Sequence, residues 1–180
     1  MAWPVTAART VYENRWIRVD EEDVVMPDGS PGLYGVVTMR HDAVFVVALD
    51  EQDRVLLVEV DRHTVGRSLE VPAGGSDGED PLLAAQRELR EETGRAAGRW
   101  QRLGGMTALN GICRAPEHVF LARDLRLVDD RDEARVVEGI RAVTAVPLDE
   151  VPALVSDGSV TDSETLAALL MALVALRRIG

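Results

Sequence analysis

The segment Asp80–Thr93, DPLLAAQRELREET, decides how the rest of this sequence is interpreted. Apolar residues such as Leu82 and Leu89 recur at helical spacing, so the segment predicts a helix with one buried side. Pro81 suits the first turn of such a helix, and Gly94 stands where a left-handed residue often ends one. We therefore expect an amphipathic helix that begins near Pro81 and stops at Gly94.

This helix carries three carboxylates, Glu88, Glu91 and Glu92, within little more than one turn. Like charges this close repel each other and weaken an isolated helix, so a positive group is expected beside them. A hard divalent cation such as Mg²⁺ takes carboxylate oxygens and leaves room for water and phosphate. The alternative is that these charges form an ordinary solvent-exposed face. The glycine-rich loop Pro72–Gly78 just before the helix argues against it, since its backbone can lie close to a ligand.

The same stretch resembles a Nudix box, whose usual pattern is G-x5-E-x7-R-E-U-x-E-E-x-G-U with U apolar. The residues that fit are Glu79, Arg87, Glu88, Leu89, Glu91, Glu92 and Gly94. Two positions depart from the pattern: Gly74 lies five rather than six residues before Glu79, and Arg95 replaces the last apolar residue. The shorter loop bears on the carbonyl of Ala73, which in similar proteins often completes a metal site.

The resemblance extends over nearly the whole chain and is strongest to the ADP-ribose pyrophosphatase branch of this superfamily. The segments that carry it are Val11–Asn14, Val25–Gly29, Val55–Val58, Leu69–Gly74, Leu154–Gly158 and Thr161–Ser163. It implies an α/β protein: a Nudix-type α/β/α sandwich with a mixed sheet, plus a small N-terminal antiparallel sheet. Residues 1–39 would form the N-terminal strands and residues 40–180 the hydrolase domain of the same unit. In similar pyrophosphatases the N-terminal strands cross to a second subunit, so a homodimer is expected.

The resemblance implies metal-dependent hydrolysis of the diphosphate bond in a nucleoside diphosphate derivative, such as ADP-ribose or a nucleoside diphosphate sugar. The cofactor would be Mg²⁺, with Mn²⁺ as the alternative ion. By the same resemblance the metal ligands would be Ala73, Glu88, Glu91 and Glu92, and the substrate-binding residues Arg62, Glu70 and Gly111. Glu91 and Glu92 are also expected to be catalytic. A strand-end salt bridge is the simpler interpretation of Arg62.

The sequence does not decide which residue is the catalytic base. Similar ADP-ribose hydrolases place a glutamate after a Ser-Pro-Gly turn, but the corresponding turn here is Leu109–Gly111 and the glutamate position falls on Ala115. Glu117 lies two residues further on. Either Glu117 is the base, or a glutamate of the box serves instead, or turnover is slow.

These departures leave two other functions open. The first is the same chemistry on another substrate, a dinucleotide or a nucleoside triphosphate. The second is a weakly active nucleotide-binding sensor that keeps the fold without efficient turnover, although the intact set of box glutamates argues against it. A substrate panel that scores AMP release separates the three hypotheses.

The composition of the chain limits the kinds of ligand it is expected to bind. The chain has 180 residues, enough for one well-packed domain, and its net charge of −11 argues against a nucleic acid polymer as ligand. A small phosphate ester is still compatible, because a bound metal reverses the local field. The single cysteine excludes an intramolecular disulfide and suits a cytoplasmic protein. The longest apolar run, Leu166–Leu176, is too short to span a membrane and predicts a buried terminal helix capped by Thr161 and Glu164.

Hydrophobic patterning and turn residues predict the remaining elements. Strands are expected within 9–38 and at Ala43–Leu49, Arg54–Val60, His118–Ala122 and Gly139–Val146, a solvated loop at Asp129–Glu133, and a short helix opening at Pro147–Val151. Strands interleaved with a few helices predict a layered α/β arrangement.

Overall fold

The structure is a computed structural model that describes residues 3–128 and 139–178. Its strands are β1 (Val5–Glu13), β2 (Ile17–Val25), β3 (Pro31–Met39), β4 (Ala43–Ala48), β5 (Arg54–Arg62), β6 (Gly66–Glu70), β7 (Ala73–Gly75), β8 (Arg95–Thr107), β9 (Cys113–Arg114), β10 (Pro116–Leu127) and β11 (Ile140–Pro147). Its helices are α1 (Pro81–Thr93), α2 (Val151–Ser156) and α3 (Ser163–Ala175). The solvated loop predicted at Asp129–Glu133 lies outside the described residues.

The strands form three sheets. The central one has the order β7-β4-β10-β8, in which β4 and β10 run parallel and the other neighbours antiparallel. A second sheet has the order β11-β5-β6 and is antiparallel throughout. The third, with the order β1-β2-β3-β9, contains the N-terminal strands and is joined to the rest of the protein by β9, which pairs in parallel with β3.

Helices α1 and α3 cover opposite faces of the central sheet. Side chains alternate along β10. Val119 shares a buried cluster with Leu169 of α3, whereas Phe120 shares another with Leu89 of α1. The predicted mixed α/β sandwich is confirmed, and α1 and α3 each lie against one side of the strands that carry the site.

Helix α1 has the bounds that its sequence predicts, and it ends at Gly94 as expected. The side chain of Asp80 accepts hydrogen bonds from the backbone N–H groups of Leu82 and Leu83, and Gly94 ends the helix with a left-handed φ of 69°. Its buried residues include Ala85 and Leu89, as the apolar spacing indicates.

The predicted start of the terminal helix is wrong by one residue. Asp162, not Thr161, caps α3, because its carboxylate accepts a hydrogen bond of 2.7 Å from the backbone N–H of Thr165. The Thr165 hydroxyl in turn accepts a bond of 3.1 Å from the backbone N–H of Val71, just before the glycine loop. This bond ties the beginning of α3 to the segment that forms the site.

Patterning alone missed the long strand β8, whose stretch contains three glycines and three arginines and lacks strict apolar alternation. It forms because β10 pairs with it over most of its length, which is a tertiary effect. Within the described residues no helix is both long and apolar enough to cross a bilayer.

Candidate active site

The acidic side of α1 is largely buried rather than solvated. Glu88 and Glu92, one helical turn apart, are only 4% and 5% exposed, while Glu91 is half-buried. Buried carboxylates need compensation by opposite charge or hydrogen bonds. The interpretation of this run as an ordinary solvated face is therefore wrong for Glu88 and Glu92.

Arg87 supplies part of that compensation. Its guanidinium donates to Glu79 (3.2 Å), Glu88 (2.8 Å), Glu91 (3.0 Å) and the backbone carbonyl of Gly75 (2.8 Å). Partial burial lowers the pKa of Arg87, but the surrounding carboxylates, Glu88 first, outweigh burial and raise it above its ordinary value. Arg87 thus stays charged and holds the glutamates and the glycine loop together.

The glycine loop lies directly on these glutamates. The backbone N–H of Ala73 donates to the Glu92 carboxylate at 3.0 Å, and a Cβ added at Gly74 would overlap the Glu88 carboxylate. Only glycine fits this close approach without displacing Glu88. The loop, although shorter than the family pattern, therefore brings the Ala73 backbone to the α1 glutamates.

A cleft of about 510 Å³ opens beside this loop, with Ala73 and Gly74 in its lining. We call it the acidic cleft; its lining residues are Ala43, Phe45, Arg62, Thr64, Val65, Ser68, Glu70, Ala73, Gly74, Glu117, Thr161, Asp162, Ser163 and Glu164. The cleft therefore contains four of the residues selected from sequence, Arg62, Glu70, Ala73 and Glu117. Gly74 joins it to the α1 glutamates, since this residue lines the cleft and contacts Glu88.

Arg62 and Glu70 form an ion pair in this cleft. Arg62 Nη2 donates to Glu70 Oε2 at 2.5 Å, and Arg62 Nε lies 3.1 Å from Glu70 Oε1. The hydrogen bond with Glu70 raises the pKa of Arg62, and the charges of Glu92 and Asp162 add to this effect. Arg62 thus lies within the field of carboxylates from both α1 and the start of α3.

Glu117 is the most unusual residue of the cleft. It is 7% exposed, and its Oε2 atom is buried without a hydrogen-bond partner among the described residues. Burial, reinforced by the charges of Glu164 and Asp162, raises the pKa of Glu117 to about 7. In the central sheet Glu117 pairs with Ala43, which pairs on its other side with Gly75, so Glu117 lies two strands from the glycine loop.

Asp162 and Glu164 were missed as site residues by reasoning from sequence. Glu164 entered only as part of a capping pattern with Thr161, and Asp162 only as part of the segment Thr161–Ser163 that carries the resemblance. The available signal was three acids, Asp157, Asp162 and Glu164, close together before an apolar helix, which resembles ordinary N-terminal capping. Which side of the sheet this helix start faces is a tertiary property.

Gly111 lies away from the acidic cleft. Its carbonyl accepts a hydrogen bond from the hydroxyl of Tyr34, and it lines a separate cavity of about 330 Å³ beside the N-terminal sheet. Trp3, which meets Tyr34 edge to face, and Arg114 also line this cavity. The structure does not bring Gly111 together with Arg62, Glu70 or Glu117 within one chain.

The donor set around α1 fits a hard divalent cation. Buried carboxylate oxygens of Glu88 and Glu92 lie against a loop where glycine leaves the approach open, and oxygen ligands are what Mg²⁺ and Mn²⁺ prefer. Over residues 3–128 and 139–178, no three His, Cys, Asp or Glu side chains are arranged to hold a metal by themselves. Arg87 Nη1 instead bridges Glu88 and Glu91.

Comparison with known proteins agrees with this arrangement. Residues 39–169 match the NUDIX domain model, and residues 3–37 match the model of the nucleoside diphosphate sugar hydrolase N-terminal domain. An ADP-ribose pyrophosphatase of Mycobacterium tuberculosis is 35% identical over 171 residues, covering 91% of this chain and 80% of the relative. A CMP-5'-(N-acetyl-N-hydroxy-3-aminopropyl)phosphonate hydrolase of Streptomyces rubellomurinus is 32% identical over 177 residues, covering 96% and 83%.

A solved structure supports the same fold. The crystal structure of an ADP compounds hydrolase superposes with a TM-score of 0.81 and covers 99% of this chain and 98% of its own. Its sequence identity is 22%, so this likeness concerns the fold alone.

Proposed function

The chain belongs to the Nudix hydrolase family and is a pyrophosphohydrolase, and on that premise we propose that it splits the diphosphate bond of ADP-ribose or another nucleoside diphosphate sugar. Members of this family generally use divalent metals, and we propose Mg²⁺ for this protein, with Mn²⁺ as the alternative. The products would be a nucleoside monophosphate and a sugar phosphate.

The observation that carries this proposal is the buried carboxylate of Glu117. A general base works best when its pKa lies near the working pH, and the pKa of Glu117 is about 7. Its carboxylate lines the acidic cleft, where it can accept a proton from a water molecule. Glu117 is thereby preferred as base over a glutamate of α1, since Glu88 and Glu91 are bonded to Arg87.

Glu88 and Glu92 would be the main metal ligands, with Glu91 and the Ala73 carbonyl completing the set. A bound cation would neutralise the diphosphate charge and acidify water. Arg87 positions the ligands by bonding Glu88 and Glu91, and it holds the loop through the Gly75 carbonyl. This arrangement orients the carboxylates before substrate arrives, which lowers the cost of reorganisation.

Arg62 is proposed to contact the substrate diphosphate. Its pairing with Glu70 keeps the guanidinium in place at the mouth of the cleft, with 43% of the side chain exposed. A bidentate guanidinium suits phosphate oxygens. Arg62 can therefore form the salt bridge with Glu70 and also bind the substrate diphosphate.

We also propose a homodimer formed through the N-terminal sheet. All nine residues of β1 are exposed, and large apolar side chains on or beside these strands, including Val11, Tyr12, Trp16 and Leu33, face solvent in the single chain. Contiguous exposed apolar surface commonly marks an interaction site. A partner subunit here would lie next to the cavity that contains Gly111, so a binding role for Gly111 is best tested in the dimer.

The substrate proposal is tested with a panel of compounds in Mg²⁺, in Mn²⁺ and in EDTA. The panel contains ADP-ribose, nucleoside diphosphate hexoses, a dinucleotide, ATP and a CMP phosphonate ester, with chromatographic detection of the nucleoside monophosphate. We expect the highest kcat/KM for a nucleoside diphosphate sugar and none without metal. Faster cleavage of ATP or the dinucleotide would favour the alternative substrates, and tight binding without turnover of any compound would favour a sensor.

A further inference from the structure

The acidic cleft has an excess of negative charge that the proposed chemistry does not use. Among the described residues that line it, Arg62 is the one basic side chain, and this charge is matched by Glu70. Asp162 and Glu164 add two negative charges, and Glu117 adds a third when ionised. A phosphate group beside Asp162 and Glu164, away from Arg62, would be repelled.

A second observation marks the cleft as a place that receives a ligand. Glu117 is 7% exposed, lines the cleft, and keeps Oε2 without a partner among the described residues. Buried polar atoms are nearly always hydrogen-bonded, so Oε2 calls for a donor beyond the described residues, such as a bound ligand. If Glu117 is the base, the attacked phosphate lies near it, and the group attached to that phosphate would occupy the same cleft, which Asp162 and Glu164 also line.

The side chains at the start of α3 are held in place by local bonds. Asp162 is fixed by the backbone N–H of Thr165 at 2.7 Å, and Ser163 Oγ donates to Glu164 Oε2 at 2.8 Å. Helix α3 is itself tied to the segment before the glycine loop through Thr165 and Val71. The acids therefore form a preorganised wall, and each carboxylate keeps lone pairs that can accept from hydroxyl groups.

We propose that this part of the cleft is the specificity subsite for the uncharged, hydroxyl-bearing portion of the substrate, with Asp162 and Glu164 excluding a further phosphate. Sugar hydroxyls are donors that carboxylates accept, whereas phosphate oxygens are only acceptors and carry like charge. The inference rests on the proposed function, because it assumes that the diphosphate is cleaved beside Glu117. It assigns selection of the substrate to Asp162 and Glu164, which are neither the proposed metal ligands nor the proposed base.

The test compares two compounds that differ by one phosphate: ADP-ribose, and ADP-ribose with a phosphate ester on its terminal ribose. We expect the wild type to prefer the unphosphorylated compound in kcat/KM by roughly 10-fold or more, and each of Glu164→Gln and Asp162→Asn to reduce that preference by roughly 5-fold, since each removes one repulsive charge. Asparagine remains a good helix cap, so Asp162→Asn keeps the start of α3. Glu51→Gln, which removes one charge from the turn at the far end of β4, is the matched control and should leave the preference unchanged.

Titration calorimetry in the Glu117→Gln background gives the same comparison as binding constants without turnover. An unchanged preference in both α3 variants, with ADP-ribose still hydrolysed, would overturn the subsite and leave the proposed function standing. A wild-type preference for a CDP-linked quaternary amine over a sugar would also overturn it, because the acids would then select a cation. Failure of the wild type to hydrolyse any nucleoside diphosphate sugar would instead overturn the proposed function, and the subsite with it.

Discussion

Gly74 lies against the carboxylate of Glu88, so closely that a methyl group at this position would overlap both carboxylate oxygens. The neighbouring Gly75 has no such restriction, because a Cβ there would meet only Asp77 Oδ1 at 3.6 Å. Gly74 therefore restricts the position of the Glu88 side chain, whereas Gly75 does not.

Replacement of Gly74 by alanine is expected to lower kcat/KM by on the order of 10-fold or more, because Glu88 must leave its position beside Glu92. Gly75→Ala is the matched control and should retain nearly full activity. Steady-state kinetics and metal titration of both variants provide the measurement. Equal activity of the two alanine variants would show that the Gly74–Glu88 contact is unimportant.

The variant Glu92→Gln is expected to reduce turnover by on the order of 10²-fold or more at limiting Mg²⁺, since it removes a proposed ligand. It should also weaken Mn²⁺ binding measured by calorimetry or electron paramagnetic resonance. Glu150→Gln, whose side chain makes no capping hydrogen bond at α2, serves as the control. Wild-type metal affinity and activity in Glu92→Gln would remove Glu92 from the ligand set.

The pH dependence of kcat/KM should report Glu117. A base must be deprotonated to act, and the pKa of Glu117 is about 7, so activity should fall about 10-fold per pH unit below that value. Glu117→Gln should lose on the order of 10²-fold or more in kcat and abolish this acidic limb. A profile identical to that of the wild type would assign the base to another residue.

The same variant should be more stable than the wild type at alkaline pH. The unfolded state releases the Glu117 proton near pH 4.5 and the folded state only near 7, so wild-type stability falls as pH rises between these values. Glu117→Gln avoids the buried charge and should gain on the order of 1 kcal/mol above pH 7, with no gain below about pH 4. Urea unfolding of both proteins above about pH 7 and below about pH 4 measures the difference in their free energies of unfolding. An equal difference at the two pH values would show that it does not arise from ionisation of Glu117.

Disruption of the exposed apolar surface should produce a monomer. Leu33 is 63% exposed on β3, and Leu33→Glu would place a charge in the proposed interface. Light scattering after size exclusion should give a dimeric wild type and a monomeric variant. Leu170→Glu, on the outer side of α3, is the control expected to stay dimeric, and a monomeric wild type would contradict the proposed assembly.

Local patterns were sufficient for helix α1 and its surroundings. Apolar spacing, Pro81 and Gly94 predicted the helix within a residue, because such signals act over a few positions. The clustering of Glu88 and Glu92 also follows from helical geometry. Their burial, however, could not be read locally, since it depends on the loop at Gly74 folding back onto them.

Contacts between distant segments explain what the patterns missed. Strand β8 exists because β10 pairs with it, and the acids at the start of α3 enter the site because Thr165 bonds to Val71, which lies 94 residues earlier. Glu117 shows both what sequence can predict and what it cannot. Its candidacy came from an imperfect alignment, but its burial and raised pKa depend on Glu164 and Asp162, which are remote in sequence.

Helices α1 and α3 flank the central sheet from opposite sides, and this separation has an evolutionary consequence. On the proposed assignment, substitutions at the beginning of α3 would change which group beyond the diphosphate is accepted, while the proposed metal ligands on α1 stay unchanged. A lineage could in this way acquire new metabolites as substrates by gradual drift at one helix terminus, without passing through inactive ancestors.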